Sequence, residues 1–317
     1  MVVGEDGRVQ VREPNWLERQ LGAALQFAIQ RGVRWTGRTV RFAEEPWLAG
    51  PTGLSGTSRI GAGIYRTYAG ETGLEALDDL AARSEAASHG RAAPGLLPDF
   101  AALRGDGFDP AAVDPAIKRF YEETGAYELD AWAEWTGPLK PFARSLIYLV
   151  SRNIEQLNLP RTPLDTSRGM TNEIVLLRDP RDGRIASAGW LRSSAASGQV
   201  IYAGFYSLCR PPGAAGPCVK VVFPLPSGSA TFVLRPECRP DGSFLLRSDG
   251  RHFGEPGAYR IHRVGAQTVR VRLVPVKERI HVYRDRRDPD VLRTDHVFRF
   301  GRFRWLHLHY KMVRRRS

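Results

Sequence analysis

Histidines are concentrated near the C-terminus of this chain. Four of the seven, His281, His296, His307 and His309, lie between Glu278 and Met312. Imidazole has a pKa near neutral pH, so a sheltered histidine can accept and return a proton without a cofactor. The alternation of side chains here predicts three consecutive antiparallel strands. The chemistry available therefore depends on which rings share a face of the sheet.

The turns suggest a register for these strands. Gly301-Arg302, with glycine first, suits a type II′ hairpin that pairs Phe300 with Phe303. Continuing this pairing places His296 opposite His307, and a second hairpin at residues 286–289 places His281 opposite Thr294. The predicted outcome is one face that carries histidine and aromatic side chains with one arginine, namely Arg279, His281, Tyr283, His296, Phe298, Trp305, His307 and His309.

Three interpretations of that face remain open. His296, His307 and His309 could converge on a metal ion, but no cysteine or close acid joins the predicted face, and we predict no metal and no cofactor. In the second, the face performs acid–base catalysis on a substrate held by aromatic walls. In the third, it only holds an apolar molecule, or holds nothing, and the histidines form structural hydrogen bonds. For the second we assign catalysis to His281, Tyr283, His296 and His307, and substrate binding to Arg279, Phe298, Trp305 and His309.

A polar segment, residues 163–173, precedes the strand-rich half of the chain. Arg168 is a candidate to clamp a carboxylate or phosphate of the substrate, and Glu173 is a candidate base. The alternative is that the segment forms turn hydrogen bonds while Arg168 pairs with an acid of the helical part.

Residues 1–165 are predicted to be rich in helix. Asn15 and Glu18 form a capping box that opens an amphipathic helix to about Arg31. The aromatic segment 127–135 is predicted to be helical core, and Pro141 begins another helix that ends before Pro160.

From Glu173 onward the pattern changes to alternation, with turn signals every 8 to 12 residues. Ten or eleven strands in meander order predict an antiparallel β-barrel or a strongly curled sheet, with room for a ligand cavity. The fold class is therefore α+β, with the helix-rich part, residues 1–165, packed against the sheet domain, residues 166–317.

The net charge of +12 comes from the second half, because residues 1–165 hold 18 Lys and Arg against 22 Asp and Glu, whereas residues 166–317 hold 28 Lys and Arg against 12 Asp and Glu. These are mostly single arginines along strands, which favours a solvated sheet surface over a nucleic-acid interface. Cys209, Cys218 and Cys238 lack metal-ligand spacing and are predicted to be free thiols, the first two facing each other across a hairpin. Without an apolar run of about 18 residues or a signal-peptide pattern, the chain is expected to be cytoplasmic, with no membrane span.

Segments such as FYEETGAYELDAWAEW and TDHVFRF, within residues 113–312, resemble uncharacterised bacterial proteins, to which we attach no activity. The GxSxG and HExxH motifs are absent, which argues against serine hydrolases and zincins. The function predicted is that of a cofactor-independent isomerase or cyclase acting on a hydrophobic, polyketide- or isoprenoid-like molecule. The alternatives are a non-catalytic carrier of a lipid or apolar metabolite and, third, a nucleic-acid or anionic-surface binder.

Overall fold

The computed structural model describes residues 2–3, 9–10, 15–52, 63–137, 149, 151, 154, 156–158, 169–195 and 198–315. Its main feature is an antiparallel sheet of 14 strands, accompanied by four described α-helices. The α+β class with a large sheet is thus confirmed.

The N-terminal half contains all four helices. Its elements are β1 (Val2–Val3), β2 (Val9–Gln10), α1 (Trp16–Thr36), β3 (Arg38–Arg41), α2 (Ile64–Thr72), β4 (Glu75–Ala76), α3 (Asp79–Ser88), α4 (Pro115–Glu122) and β5 (Tyr127–Trp135). Short 3₁₀ helices span Pro46–Leu48, Phe100–Leu103, Pro110–Ala112 and Thr124–Ala126. The predicted capping box is present, with both the Asn15 and the Glu18 hydrogen bonds formed, and α1 runs five residues beyond Arg31.

The second half consists of eleven strands, in agreement with the alternation of its sequence. They are β6 (Met170–Arg178), β7 (Ile185–Ser194), β8 (Val200–Cys209), β9 (Cys218–Leu225), β10 (Gly228–Cys238), β11 (Phe244–Ser248), β12 (Ala258–Arg263), β13 (Thr268–Val274), β14 (Val276–Arg284), β15 (Val291–Phe300) and β16 (Phe303–Arg314). Cys209 lies opposite Cys218 as predicted, and all three cysteines are free.

The strand order is β4-β6-β7-β8-β9-β10-β11-β14-β15-β16-β5, and β10 also pairs with a branch formed by β12, β13 and β3. Among the described strands the hydrogen-bonded ladder does not close, so the predicted barrel is not confirmed, and the two ends of the strand order are β4 and β5. The sheet is nevertheless curled. The β5 end approaches β6, where Asn172 Nδ2 donates to the carbonyls of Thr124 and Tyr127 at 3.1 and 3.4 Å. Since β3, β4 and β5 belong to the N-terminal half, both halves build one sheet; whether they are separate domains remains a prediction.

The curl encloses the largest core. Residues from near both ends of the sheet meet there, including Leu129 of the end strand β5 and Ile174 of β6, which is next to the end strand β4, together with Phe120 of α4. A second helix packs on the outside, where Tyr65 of α2 contacts Phe205 of β8 with ring centroids 4.7 Å apart. Burial of this apolar surface is the main force that holds the sheet in its curled shape.

The helix predicted for residues 127–135 is wrong, because this segment is the strand β5. Tyr127, Leu129, Ala131, Ala133 and Trp135 are buried, and they alternate with less buried residues. That period of two is a strand signal, and the density of aromatic rings concealed it. The helix predicted from Pro141 falls largely outside the described residues.

No helix in the described part of the chain has both the length and the apolar character needed to cross a membrane.

Candidate functional site

The hairpin of β15 and β16 begins as predicted and then departs from the predicted register. Phe300 pairs with Phe303, and Gly301 has a φ of 56°, which suits the first position of a type II′ turn. A β-bulge between Phe298 and Arg299 then shifts the pairing by one residue, so that His296 lies opposite Leu308 instead of His307. A shift of one residue moves a side chain to the other face of the sheet.

The register of the β14–β15 hairpin also differs by one residue from the predicted register. His281 lies opposite Asp295 rather than Thr294, and Tyr283 lies opposite Arg293. The two shifts divide the predicted set between two faces, which we call the cavity face and the outer face. The outer face carries Arg279, His281, Tyr283, Asp295, His307 and His309.

Of the predicted site residues, His296, Phe298 and Trp305 line the cavity. The common face predicted for the four histidines is therefore wrong, since Arg279, His281, Tyr283, His307 and His309 lie on the outer face. Glu173 is exposed on β6, and Arg168 lies outside the described residues. The bulge explains the positions of His307 and His309, because it directs Leu308 into the core, where it is 3% exposed. The register of the β14–β15 hairpin explains the positions of Arg279, His281 and Tyr283.

The cavity inside the curl has a volume of about 370 Å³. Its wall is almost entirely apolar and comes from strands around the sheet, with Leu234 of β10 and Leu308 of β16 as examples. Ile29 of α1 and Leu157 also contribute, so the helix-rich half supplies part of the lining. Such a volume matches the lower range of small-molecule sites.

A carboxylate–imidazole pair interrupts this apolar wall. His296 Nε2 donates to Glu278 Oε1 at 2.5 Å, and the two side chains are 14% and 6% exposed. The second oxygen, Glu278 Oε2, is buried and makes no hydrogen bond with any described group. Burying a carboxylate with an unpaired oxygen costs free energy, so the fold alone does not account for Glu278.

Four tyrosines line the same cavity, namely Tyr121, Tyr202, Tyr206 and Tyr310. Burial raises the pKa of Tyr202, Tyr206 and Tyr310. The charge of Arg192 acts against this by lowering the pKa of Tyr202 and Tyr310, while the negative charge of Glu278 raises the pKa of all three. All three therefore stay protonated at neutral pH, and their hydroxyls can donate a hydrogen bond to an oxygen of a bound molecule.

Arg192 places a positive charge behind this cluster. It is 2% exposed, and its guanidinium carbon lies 5.0 Å from the ring centroid of Tyr310 and 5.5 Å from that of Tyr202. Among the described residues no carboxylate lies within ion-pair distance of Arg192, and its Nε has no partner. The positive charge favours negative charge that develops on a molecule near the tyrosines.

Sequence reasoning missed Glu278, Arg192, Tyr202, Tyr206 and Tyr310 as site residues. A signal was present for the charged residues. Each is a single charged side chain on the apolar face of a strand. Ile280 and Val282 follow Glu278 on its face, and Trp190 precedes Arg192 on its face. A lone charge at a position that alternation assigns to the core is a recognisable mark of a site.

The outer-face histidines are partly buried. Burial lowers the pKa of His281, and the positive charges of Arg239 and Arg279 lower it further. Burial also lowers the pKa of His307, with His309 as the second cause. Both therefore favour the neutral imidazole.

Comparison with curated proteins finds a relative in Bacillus subtilis (strain 168), the "Uncharacterized membrane protein YndJ", 28% identical over 221 residues. The aligned region covers 69% of this chain and 38% of that protein, so the chain matches well under half of its relative. No family model matches the chain, and no solved structure matches it significantly. The chain is therefore similar to one part of YndJ, and the case for a function depends on the site itself.

Proposed function

We propose that the cavity binds an apolar small molecule and that the Glu278–His296 pair moves a proton on it, as in a cofactor-independent isomerase or cyclase. The observation that supports this proposal is the buried, half-paired carboxylate of Glu278 in an otherwise apolar wall. A ligand with a proton near Glu278 Oε2 would supply the missing partner.

The surrounding groups fit each step of such a reaction. Glu278 accepts a proton from carbon or oxygen of the ligand, and His296 holds the carboxylate in place through its ring N–H. Negative charge that develops on a ligand oxygen is met by the phenol of Tyr202 or Tyr310, with Arg192 behind both rings. The proton then returns at a different atom, which completes a double-bond shift or a ring closure. The apolar wall excludes water from the reacting atoms.

The second candidate is a carrier that binds the same class of molecule without changing it. The apolar lining supports it, and the name of the Bacillus subtilis relative, which calls that protein a membrane protein, favours a lipid-like ligand. We also propose a cytoplasmic location, although neither candidate function depends on it.

Hydrogen–deuterium exchange separates the two candidates without knowledge of the substrate. The full chain is purified without detergent, its bound apolar molecules are extracted and identified by mass spectrometry, and they are returned to the protein in D₂O. An enzyme that abstracts a proton incorporates deuterium into the ligand. We expect Glu278→Gln to bind the ligand and to lower the exchange rate by about 10²–10⁴-fold, the usual contribution of a general base.

The matched control is Glu128→Gln, the same chemical change at an exposed position of β5. It should exchange like the wild type. Binding without exchange in the wild-type protein would favour the carrier. Both candidates are refuted if no apolar molecule co-purifies with the wild type and the native wild type also fails to bind an apolar fluorescent dye. Denatured protein, which should bind the dye, is the positive control.

A further inference from the structure

Two histidines and a glutamate converge on the outer face, on adjacent strands of the sheet. His307 and His309 are alternate residues of β16, and Glu134 of β5 lies directly opposite His307. His307 Nδ1 is 3.9 Å from Glu134 Oε2, and His309 Nε2 is 3.6 Å from Glu134 Oε1. One ligand atom from each of the three lies within 4.8 Å of the others.

Asp295 of β15 holds both rings from the opposite side. Its Oδ1 is 3.2 Å from His307 Nε2 and 3.0 Å from His309 Nδ1. In a neutral imidazole the nitrogen next to a carboxylate carries the hydrogen and donates it, so the other nitrogen presents a lone pair. One carboxylate therefore turns the lone pairs of His307 Nδ1 and His309 Nε2 toward Glu134.

These two nitrogens are buried, and neither hydrogen-bonds to a described group. The rings are held firmly, since His309 stacks on Trp132 with centroids 5.4 Å apart and the two imidazole centroids are 3.8 Å apart. Ligands about 2.0–2.1 Å from a tetrahedral zinc ion lie about 3.3 Å from one another. The two nitrogen–carboxylate distances exceed this spacing by a few tenths of an ångström, and no pair of the three ligand atoms exceeds it by more than about 1.5 Å.

We propose that Glu134, His307 and His309 bind a divalent transition-metal ion of the zinc class, with Asp295 as the positioning residue behind both imidazoles. A carboxylate on the far nitrogen is the usual second partner of a metal-bound histidine. Three protein ligands leave a further position for water, and Glu134, whose side chain is 53% exposed, leaves the ion open to solvent. This site lies on the face of the sheet opposite to the cavity and does not depend on the function proposed for the cavity.

The competing account is an ion-pair network in which both imidazoles are protonated and contact Glu134 and Asp295 as cations. It also explains the short distances, but it leaves the two buried nitrogens as N–H donors without a hydrogen bond. It predicts no affinity for a metal ion.

Isothermal titration calorimetry with ZnCl₂ tests the proposal on the full chain, prepared without a histidine tag and stripped with EDTA. We expect one saturable equivalent in the wild type and its loss in His309→Ala. Glu134→Gln, at a half-exposed position that is safe for folding, should bind more weakly. Asp295→Asn should weaken binding about 10–100-fold, as for other residues behind metal-bound histidines.

His281→Gln is the matched control, because His281 lies on the same face one strand further along and hydrogen-bonds to Ser243 instead. It should bind zinc like the wild type. The visible spectrum of the Co²⁺ form gives a second readout, and its ligand-field bands should change in Glu134→Gln. Absence of saturable binding in the wild type, or equal binding by wild type, Glu134→Gln and His309→Ala, would overturn the proposal.

Discussion

Glu278→Gln should make the protein more stable while it removes the proposed proton transfer. Glutamine has the shape of glutamate, and its Oε1 can accept the same hydrogen bond from His296 Nε2. The substitution removes a full charge from a side chain that is 6% exposed and replaces an oxygen that has no partner among the described residues. The buried charge of Glu278, and not its packing, therefore lowers the stability of the protein.

The magnitude follows from the two opposing effects. The buried amide N–H₂ of glutamine would also lack a partner, so the unpaired position keeps its cost of about 1–3 kcal/mol. The gain comes from removing the charge, whose burial costs several kcal/mol. Weakening a charge-assisted hydrogen bond to a neutral one loses about 1 kcal/mol. We expect a net increase of about 1–3 kcal/mol in the free energy of unfolding, which raises the melting temperature by a few degrees.

Urea unfolding followed by circular dichroism measures this change, with Glu128→Gln as the exposed control. The control should lie within about 0.5 kcal/mol of the wild type, because its contact with Arg315 is an exposed ion pair. A loss of more than about 1 kcal/mol in Glu278→Gln would refute the reasoning, since it would show that the carboxylate is fully compensated by a positive charge. Higher stability with unchanged deuterium exchange would show that Glu278 is not the base.

Three further predictions concern packing, pH and thiol reactivity. Gly189→Ala should destabilise the protein by about 1–3 kcal/mol in a thermal melt, because the new methyl carbon would lie 2.2 Å from the ring of Tyr65; an unchanged melting temperature would show that α2 does not pack there. His281→Gln should lose less stability than the wild type when the pH is lowered from about 8 to about 5. Burial and nearby arginines lower the pKa of His281 in the folded protein, so below about pH 6.5 the unfolded chain binds the proton more readily and the wild type is destabilised. Parallel curves of stability against pH for the two proteins would contradict this. Burial raises the pKa of Cys209 to about 11 and that of Cys218 to about 12. Iodoacetamide should therefore alkylate both thiols slowly in the native protein and rapidly in urea. Fast labelling of either thiol in the native protein would mean that the strands carrying them open readily.

Much of the fold could be predicted from sequence because its signals are local. The alternation after Glu173 and the turns between strands identify eleven strands, and the capping box at Asn15 marks the start of α1. The position of β5 at the end of the sheet could not be predicted in this way. Its partner β16 lies more than 150 residues away in the chain, and no local pattern encodes such a pairing.

The site was harder to predict because its composition depends on the register of the β14–β15 hairpin and on a single inserted residue in the β15–β16 hairpin. Without the bulge at Phe298, His307 and His309 would join His296 on the cavity face, and Leu306 and Leu308 would leave it. Full burial of a leucine contributes about 1.5–3 kcal/mol, so keeping both inside outweighs the local cost of a bulge. Sequence alternation alone cannot detect this, since both faces of β16 alternate equally well.

The same bulge determines how the chemistry of the chain is divided. It leaves one imidazole, His296, beside one carboxylate in an apolar cavity, which suits proton transfer to an uncharged molecule. It puts two imidazoles beside Glu134 and Asp295 on the outer face, which suits a cation. The two groups point to opposite faces of one sheet, have only β15 in common, and share no side-chain contact that is described. Substitutions at Glu278 and at Glu134 should therefore have independent effects on ligand exchange and on metal binding, and a double variant should lose both by the amounts of the single ones.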